Sequence, residues 1–432
     1  MKRLTDFIED LDSCVKCGTC RSVCPIYRVE GREPASTRGR LTLIGARARG
    51  ELPLSETYIR QVKDCTLCGA CVSSCPAGVD TPGIVAAARA ELAEAEGRSP
   101  VAGLVFRGLA DPGRLVPLAV KCAAYMQGVF LKGAAPGDAG AAGDSGLLSR
   151  FNLPIPGARM GRLFPPLART PFMDSRQAKA HKSAGGERSG AGVIRVAFYV
   201  GCGINYLMPE VGEKTIDLLG RAGAEVVVPE GQVCCGMPAY AAGEAGAARD
   251  MAVRNIEELE RHDVDYVVTA CATCGHGLRN NFRALLADDP VLLERAEALS
   301  GRVRDVSELL VDVFGFESEG GEGQERVVTY HDPCHLGRAQ GVREQPRDLL
   351  KTNPNLTLKE MSHPCRCCGL GGGLSMANYE MSSEIGSIKA ESVRDSGADV
   401  VATGCPGCIV QLRDSLHRLG VDAKVKHVVE LL

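Results

Sequence analysis

Twenty cysteines lie in this chain of 432 residues, and eighteen of them fall into two kinds of pattern, each written twice. The first kind is Cys14, Cys17, Cys20 and Cys24, followed by Pro25; after forty intervening residues it returns as Cys65, Cys68, Cys71 and Cys75, followed by Pro76. Four thiols within eleven residues, repeated, match the ligand spacing of paired [4Fe-4S] clusters, in which the fourth cysteine of each run crosses to the other cluster. On that logic Cys14, Cys17, Cys20 and Cys75 hold one cubane, and Cys65, Cys68, Cys71 and Cys24 hold the other. A tetrahedral zinc site built from two C-x-x-C pairs fits this crowding less well.

The second kind places Cys202, the pair Cys234-Cys235 before Gly236, and Cys271-x-x-Cys274; it recurs as Cys334, the pair Cys367-Cys368 before Gly369, and Cys405-x-x-Cys408. The intervening residues number 31 and 35 in the first copy and 32 and 36 in the second. Adjacent cysteines point in different directions from one backbone, which suits a centre with several metal atoms. One or two further iron-sulfur clusters are expected here, with zinc in one copy as the alternative, although a tetrahedral ion leaves one of five thiolates unused. Gly236 and Gly369, the latter opening the run to Gly373, would let the backbone approach the metal and donate N–H groups to sulfur. His331, Asp332 and His335 bracket Cys334, and His276 follows Cys274. They are the candidates for handling protons, with helix capping or packing as the plainer role. Cys365 reads as a bystander, and Cys122 as a buried small apolar residue.

Short β-branched runs lead into these thiols. Arg195-Val-Ala-Phe-Tyr-Val-Gly-Cys matches Arg326-Val-Val-Thr-Tyr-His-Asp-Pro-Cys with an offset of one residue, and Asp265-Tyr-Val-Val-Thr-Ala-Cys matches Asp399-Val-Val-Ala-Thr-Gly-Cys. Helical patterns at 211–222 and 247–261 lie between, so each copy reads strand, helix, strand, helix, strand. That alternation predicts a duplicated α/β unit with a parallel sheet, its site beyond the carboxyl ends of the strands. The first cysteine runs sit among helical patterns instead. Leu4, Phe7, Ile8 and Leu11 share one helix face, Ser36 or Thr37 caps a helix to Arg49, and Thr81-Pro82 opens another to about Glu96. The predicted organisation is an α-helical two-cluster ferredoxin domain at 1–98, a helical and flexible linker at 99–192 with a low-complexity stretch from Gly133 to Gly146, and α/β repeats at 193–316 and 326–432. Arg38 and Arg40 either stabilise the anionic clusters or a docked partner, or are solvated.

A formal charge of −3 and aromatics at 4% offer none of the clustered basic surface that nucleic acid requires. The first ten residues alternate charged and apolar side chains and lack a signal-peptide core. A cytoplasmic location is expected, and with it reduced thiols serving as metal ligands. The apolar-leaning stretch 101–131 is interrupted by Arg107, Asp111, Arg114 and Lys121 and does not read as a membrane span.

The two C-x-x-C-x-x-C-x-x-x-C-P runs, Ser36-Thr-Arg-Gly-Arg40, Cys234-Cys-Gly-Met-Pro-Ala-Tyr240, His331-Asp-Pro-Cys-His335 and Cys405-Pro-Gly-Cys408 resemble the iron-sulfur subunits of bacterial glycolate or D-lactate oxidases. These belong to a wider superfamily that includes the catalytic subunit of heterodisulfide reductase. The resemblance covers residues 1–98 and 195–432. It implies an electron-transfer subunit that works with a FAD-containing 2-hydroxyacid dehydrogenase subunit, passing electrons towards a quinone or a cytochrome b component, from the cytoplasm or the inner face of the membrane. In the heterodisulfide reductases the corresponding motifs hold noncubane [4Fe-4S] clusters that cleave a disulfide. All ten motif cysteines are present here, so a disulfide reductase is the alternative. No G-x-G-x-x-G follows a strand, which places FAD in a partner.

Overall fold

A computed structural model describes residues 2–97, 100–110, 115–132, 149–151, 163–181, 192–318, 320 and 325–432. The first unit is helical. A 3-10 turn at Leu4–Phe7 and a helix at Ile8–Asp12 bury Leu4, Phe7 and Leu11 against helices Thr37–Ala48, Glu56–Lys63 and Thr81–Ala95. Ser36 caps the first of these by accepting from the Gly39 N–H at 3.0 Å, as its place before the periodic run requires. Asp80 caps the last, with Pro82 at the second helical position. The two cysteine runs adopt the same backbone: Lys16 and Leu67, each one residue before the second thiol, have positive φ, as do Gly18 and Gly69 just after it.

Helices Pro100–Ala110 and Leu115–Phe130 follow. Cys122 is exposed on the second of these, near exposed Leu118, Tyr125 and Met126, so the expectation of a buried thiol is corrected. The region read as helical and flexible also contributes three short antiparallel strands, β1 (Leu131–Lys132), β2 (Ser149–Phe151) and β3 (Leu163–Phe164). The Gly133–Gly146 stretch lies outside the described residues.

Each repeat is a four-stranded parallel sheet. The first comprises β4 (Arg195–Phe198), β5 (Glu225–Val227), β6 (Tyr266–Thr269) and β7 (Val303–Asp305) in the order β5-β4-β6-β7. The second comprises β8 (Arg326–Tyr330), β9 (Leu356–Leu358), β10 (Val400–Thr403) and β11 (Lys424–His427) in the matching order β9-β8-β10-β11. The fourth strand of each was not foreseen. In both sheets the strand order reverses between the first and third strands, the point where an open α/β sheet leaves a crevice at its carboxyl edge.

The sheets also correct the register of the duplication. Val196 pairs with Tyr266 and Val328 with Val400; the Arg195 N–H donates to the Asp265 carboxylate, and the Val327 N–H to that of Asp399, each at 2.8 Å. Arg195 therefore corresponds to Val327, not Arg326, and the first thiols, Cys202 and Cys334, align with no offset. Among the described residues no helix is long and apolar enough to cross a membrane.

Candidate metal centres

In the helical unit Cys14, Cys17, Cys20, Cys71 and Cys75 line one cavity, while Cys24 is close enough to Cys65 and Cys68 for their charges to raise its pKa, after burial as the main cause. Cys75 thus lies with the first run and Cys24 within reach of the second as well as of Cys20, a placement compatible with crossed ligation. Cys71 is pushed up to about 12, chiefly by burial and then by Cys68 and Cys65, against the hydroxyls of Thr81 and Thr37. Arg40 is not solvated: it is 1% exposed and donates to the carbonyls of Gln61 and Ala35 at 2.5 and 3.2 Å. Arg38 stays near the surface and holds Glu33 and the Lys16 carbonyl at 2.8 and 3.0 Å.

In the first repeat, Cys202 follows β4, Cys234 and Cys235 follow β5, and Cys271 and Cys274 follow β6, so all five thiols gather at the sheet's crevice. Close approaches link Cys202 to Cys234, Cys234 to Cys235, Cys235 to Cys274, and Cys274 to Cys271. The second repeat does the same from Cys334 to Cys367, Cys368, Cys408 and Cys405, with the Cys368 and Cys408 sulfurs 3.8 Å apart. The two files join where Cys271 meets Cys405, and the second meets the helical unit where Cys367 contacts Cys68.

Crowding sets their protonation. Cys202 and Cys334 are raised by a neighbouring thiol, Cys234 and Cys367 respectively, and by burial. Cys235 falls to about 6 because Cys234 and Cys274 donate to it, and Cys368 is lowered by Cys367 and Cys408. Five crowded sulfurs, four of them buried in each repeat, cannot all ionise without a compensating positive charge. A set of five soft donors exceeds what one tetrahedral ion takes and fits a cluster of several irons. The residues present therefore fit iron-sulfur centres at all four places.

Gly236 and Gly369 sit at φ +77° and +99°. The Gly369 N–H donates to the Cys367 sulfur at 3.4 Å, and the Gly236 N–H lowers Cys234 in the same way. His276 and His335 stack with ring centroids 4.7 Å apart. Burial is the main cause that holds both imidazoles neutral, His276 near 3. His335 Nδ1 lies 3.2 Å from the Thr273 hydroxyl, itself 3.5 Å from the Cys405 sulfur. Asp332 turns away from the thiols and grips Arg347 with both oxygens at 2.8 and 3.0 Å. His331 is buried and is lowered to about 3, first by desolvation and then by Lys389.

Three cations escaped the sequence reading. Arg338 spans the junction, donating to the carbonyls of Cys68 at 3.2 Å and of Cys365. Lys389, 1% exposed, donates to those of His363 and Pro364 at 2.9 and 3.0 Å. Cys365, Arg338 and Lys389 line a cavity of about 260 Å³ with Cys68 and Cys367. Arg89 is 3% exposed and donates to the carbonyls of Val62, Lys63 and Cys65 in the helical unit, Ala241 in the first repeat and Gly372 in the second, at 2.5–3.0 Å. No short motif marks such a residue.

Comparison with known proteins agrees with this geometry. A 4Fe-4S dicluster domain model matches residues 10–79, and a cysteine-rich domain model matches 196–279 and 328–413. A probable glycolate oxidase iron-sulfur subunit of Bacillus subtilis is 31% identical over all of this chain and 97% of its own length. The chain belongs to the glycolate oxidase iron-sulfur subunit family. Within that family's wider relations, lactate utilization protein A of Bacillus cereus is 33% identical over 55% of this chain and 98% of its own length. A polypeptide of the fumarate reductase (CoM/CoB) of Methanothermobacter marburgensis is 38% identical over 55% of this chain and 46% of its own length. As a member of the glycolate oxidase iron-sulfur subunit family, the chain is an iron-sulfur protein with one dicluster domain and two cysteine-rich repeats.

Proposed function

We propose that this chain is the electron-transfer subunit of a FAD-dependent 2-hydroxyacid oxidase, acting on glycolate or D-lactate, with the flavin on a partner subunit and the electrons bound for a quinone or a cytochrome b at the inner face of the membrane. The observation that carries the reading is the unbroken file of sulfurs from Cys68 through Cys367, Cys368, Cys408, Cys405, Cys271, Cys274, Cys235 and Cys234 to Cys202. Iron-sulfur clusters, when bound, supply one-electron carriers at the four thiol sites. The chain's own residues fix the spacing: Arg89 and Arg338 lock the helical unit onto the repeats through backbone carbonyls. Burial of Cys235, Cys274, Cys368 and Cys408 keeps water from the thiolates. The similarity to a probable glycolate oxidase iron-sulfur subunit and to lactate utilization protein A supports the substrate class.

A disulfide reductase is the second reading, favoured by the completeness of both five-thiol sets. Anaerobic purification of the tagged chain from its host separates the two. The oxidase reading expects a co-purifying flavoprotein and bleaching of the visible iron-sulfur absorption on addition of glycolate or D-lactate. It fails if no flavoprotein comes along and the dithionite-reduced protein is instead reoxidised by a disulfide.

A further inference from the structure

The corrected register puts two unlike residues in one place. The Tyr199 N–H donates to the Val268 carbonyl at 2.8 Å, and the His331 N–H to that of Ala402 at 2.9 Å, so Tyr199 and His331 are equivalent, each three residues before the first thiol of its repeat. Tyr199 directs its hydroxyl to the Val233 carbonyl at 2.5 Å. His331 has no such bond: it is 1% exposed, and neither ring nitrogen has a hydrogen-bond partner.

An imidazole in either charge state carries two polar nitrogens, and leaving one buried and unpaired is destabilising. The surrounding groups are already engaged. Asp332 is held by Arg347. The Pro364 carbonyl lies near the ring and raises its basicity slightly, but it already accepts from the Asp332 N–H at 3.2 Å and from Lys389 at 3.0 Å. What remains in reach is sulfur. A nitrogen of His331 and the sulfurs of Cys368 and Cys408 all lie within 4.8 Å of one another, every one buried. Ligands that share one metal atom at about 2.0–2.3 Å span a comparable distance.

We propose that His331 is a metal ligand: one ring nitrogen coordinates the centre of the second repeat beside Cys368 and Cys408, whereas the first repeat, with Tyr199 at that place, offers thiolates alone. The inference rests on the reading that the repeats hold iron-sulfur centres. A neutral nitrogen donor leaves less negative charge at the metal than a thiolate does, and imidazole ligation raises the reduction potential of iron-sulfur centres. The two repeats are thus chemically unlike despite their duplicated fold. The second, which touches the helical unit through Cys68, is the stronger electron acceptor of the pair.

The test is pulsed EPR of anaerobically purified, dithionite-reduced protein grown with natural or 15N-labelled histidine. The expected result is one strongly coupled histidine nitrogen that disappears in H331Y, the residue of the first repeat, and persists in H335Q and H276Q. In H331Y one midpoint potential also shifts downward while iron content is retained. Absence of a strongly coupled nitrogen in the wild type overturns the proposal and leaves His331 as a packed or water-bonded ring, and so does a coupling that survives H331Y or vanishes in H335Q. Should H331Y not take up iron, the labelled wild type with H335Q and H276Q decides by the same criteria. Iron no greater than the two ferredoxin clusters contain would overturn the reading beneath the proposal, and the proposal with it. None of these spectra depends on whether a flavoprotein co-purifies.

Discussion

Cys271 and Cys405 hold the same position in their respective repeats, and their thiols lie against each other. Equivalent residues meet in this way when two copies face each other across a local two-fold axis. The neighbouring backbone bond shows where that symmetry breaks. The Ala272 N–H donates to the Gly404 carbonyl at 3.0 Å; the mirror bond would run from residue 406 to the Ala270 carbonyl, but residue 406 is proline and has no N–H. His427 Nε2 fills the gap, donating to the Ala270 carbonyl at 2.8 Å, while its Nδ1 accepts from the Val429 N–H at 3.3 Å.

That role makes His427 a source of acid sensitivity. It is fully buried, and desolvation lowers it from 6.5 to about 4, opposed first by its hydrogen bond to the Ala270 carbonyl and then by the Cys405 thiol and the Gly404 carbonyl; Glu430 accepts from its backbone N–H. The folded state binds the proton more weakly than the unfolded one, so the contribution is complete above pH 6.5 and is lost as pH falls from 6.5 towards 4. The full span is worth about 3 kcal/mol. Thermal unfolding followed between pH 7.5 and 4.5 is expected to show a shallower decline for H427Q than for wild type over that window. Equal slopes would refute the assignment.

Arg89 donates to backbone carbonyls in the helical unit and in both repeats. Replacing it with methionine keeps much of the volume but strands five buried carbonyls, a loss of roughly 3 kcal/mol or more concentrated at the junctions. R89M is expected to retain the visible absorption of its clusters while becoming open to limited proteolysis between residue 97 and the first repeat. An unchanged cleavage pattern would mean that the junctions hold without it.

Crossed ligation is testable by a single thiol. Cys24 stands with Cys65 and Cys68 although it belongs to the run of Cys14. C24S is therefore expected to alter the same EPR signal as C65S, and C75S the same signal as C14S. The reverse pairing would show that each run serves its own cluster.

The thiols were legible because cluster ligation imposes their spacing directly on the chain. So were Ser36 as a cap and the parallel sheets, since capping and alternating periodicity are local properties. The register of the repeats was misread because Arg195 and Arg326 look alike, whereas the pairing that fixes register is the reach of Asp265 and Asp399 to the backbone seventy residues away. For Arg40 the choice between a cluster-stabilising and a solvated role stayed open in the sequence, because its partners are the carbonyls of Ala35 and Gln61, which carry no side-chain signal. Arg89 and Lys389 were invisible for the same reason. The glycine run was assigned to approaching sulfur, which Gly369 does. Gly371 and Gly372 instead lie against the helical unit, where an added Cβ would come within 2.5 Å of the Thr66 and Cys65 carbonyls.

The two Cys-Cys-Gly turns should differ in tolerance. Both glycines have left-handed φ, which costs an alanine about 1 kcal/mol. At Gly236 the added Cβ would stand 3.2 Å from the Ala248 carbonyl, a contact relieved by a small shift. At Gly369 it would stand 2.5 Å from the backbone oxygen of Ser382, in the helix Tyr379–Ser396, which also bonds the Gly369 carbonyl through the Ser382 hydroxyl at 2.9 Å. Neither backbone can give way without moving Cys367 and Cys368, so G369A is expected to cost roughly 3 kcal/mol or more, against about 1 for G236A. Iron per chain and melting temperature measured side by side check this: G369A should lose iron from the second repeat, and G236A should stay close to wild type. Equal losses in both would show that the backbone hydrogen bond to sulfur, common to the two turns, matters more than the clash at Ser382.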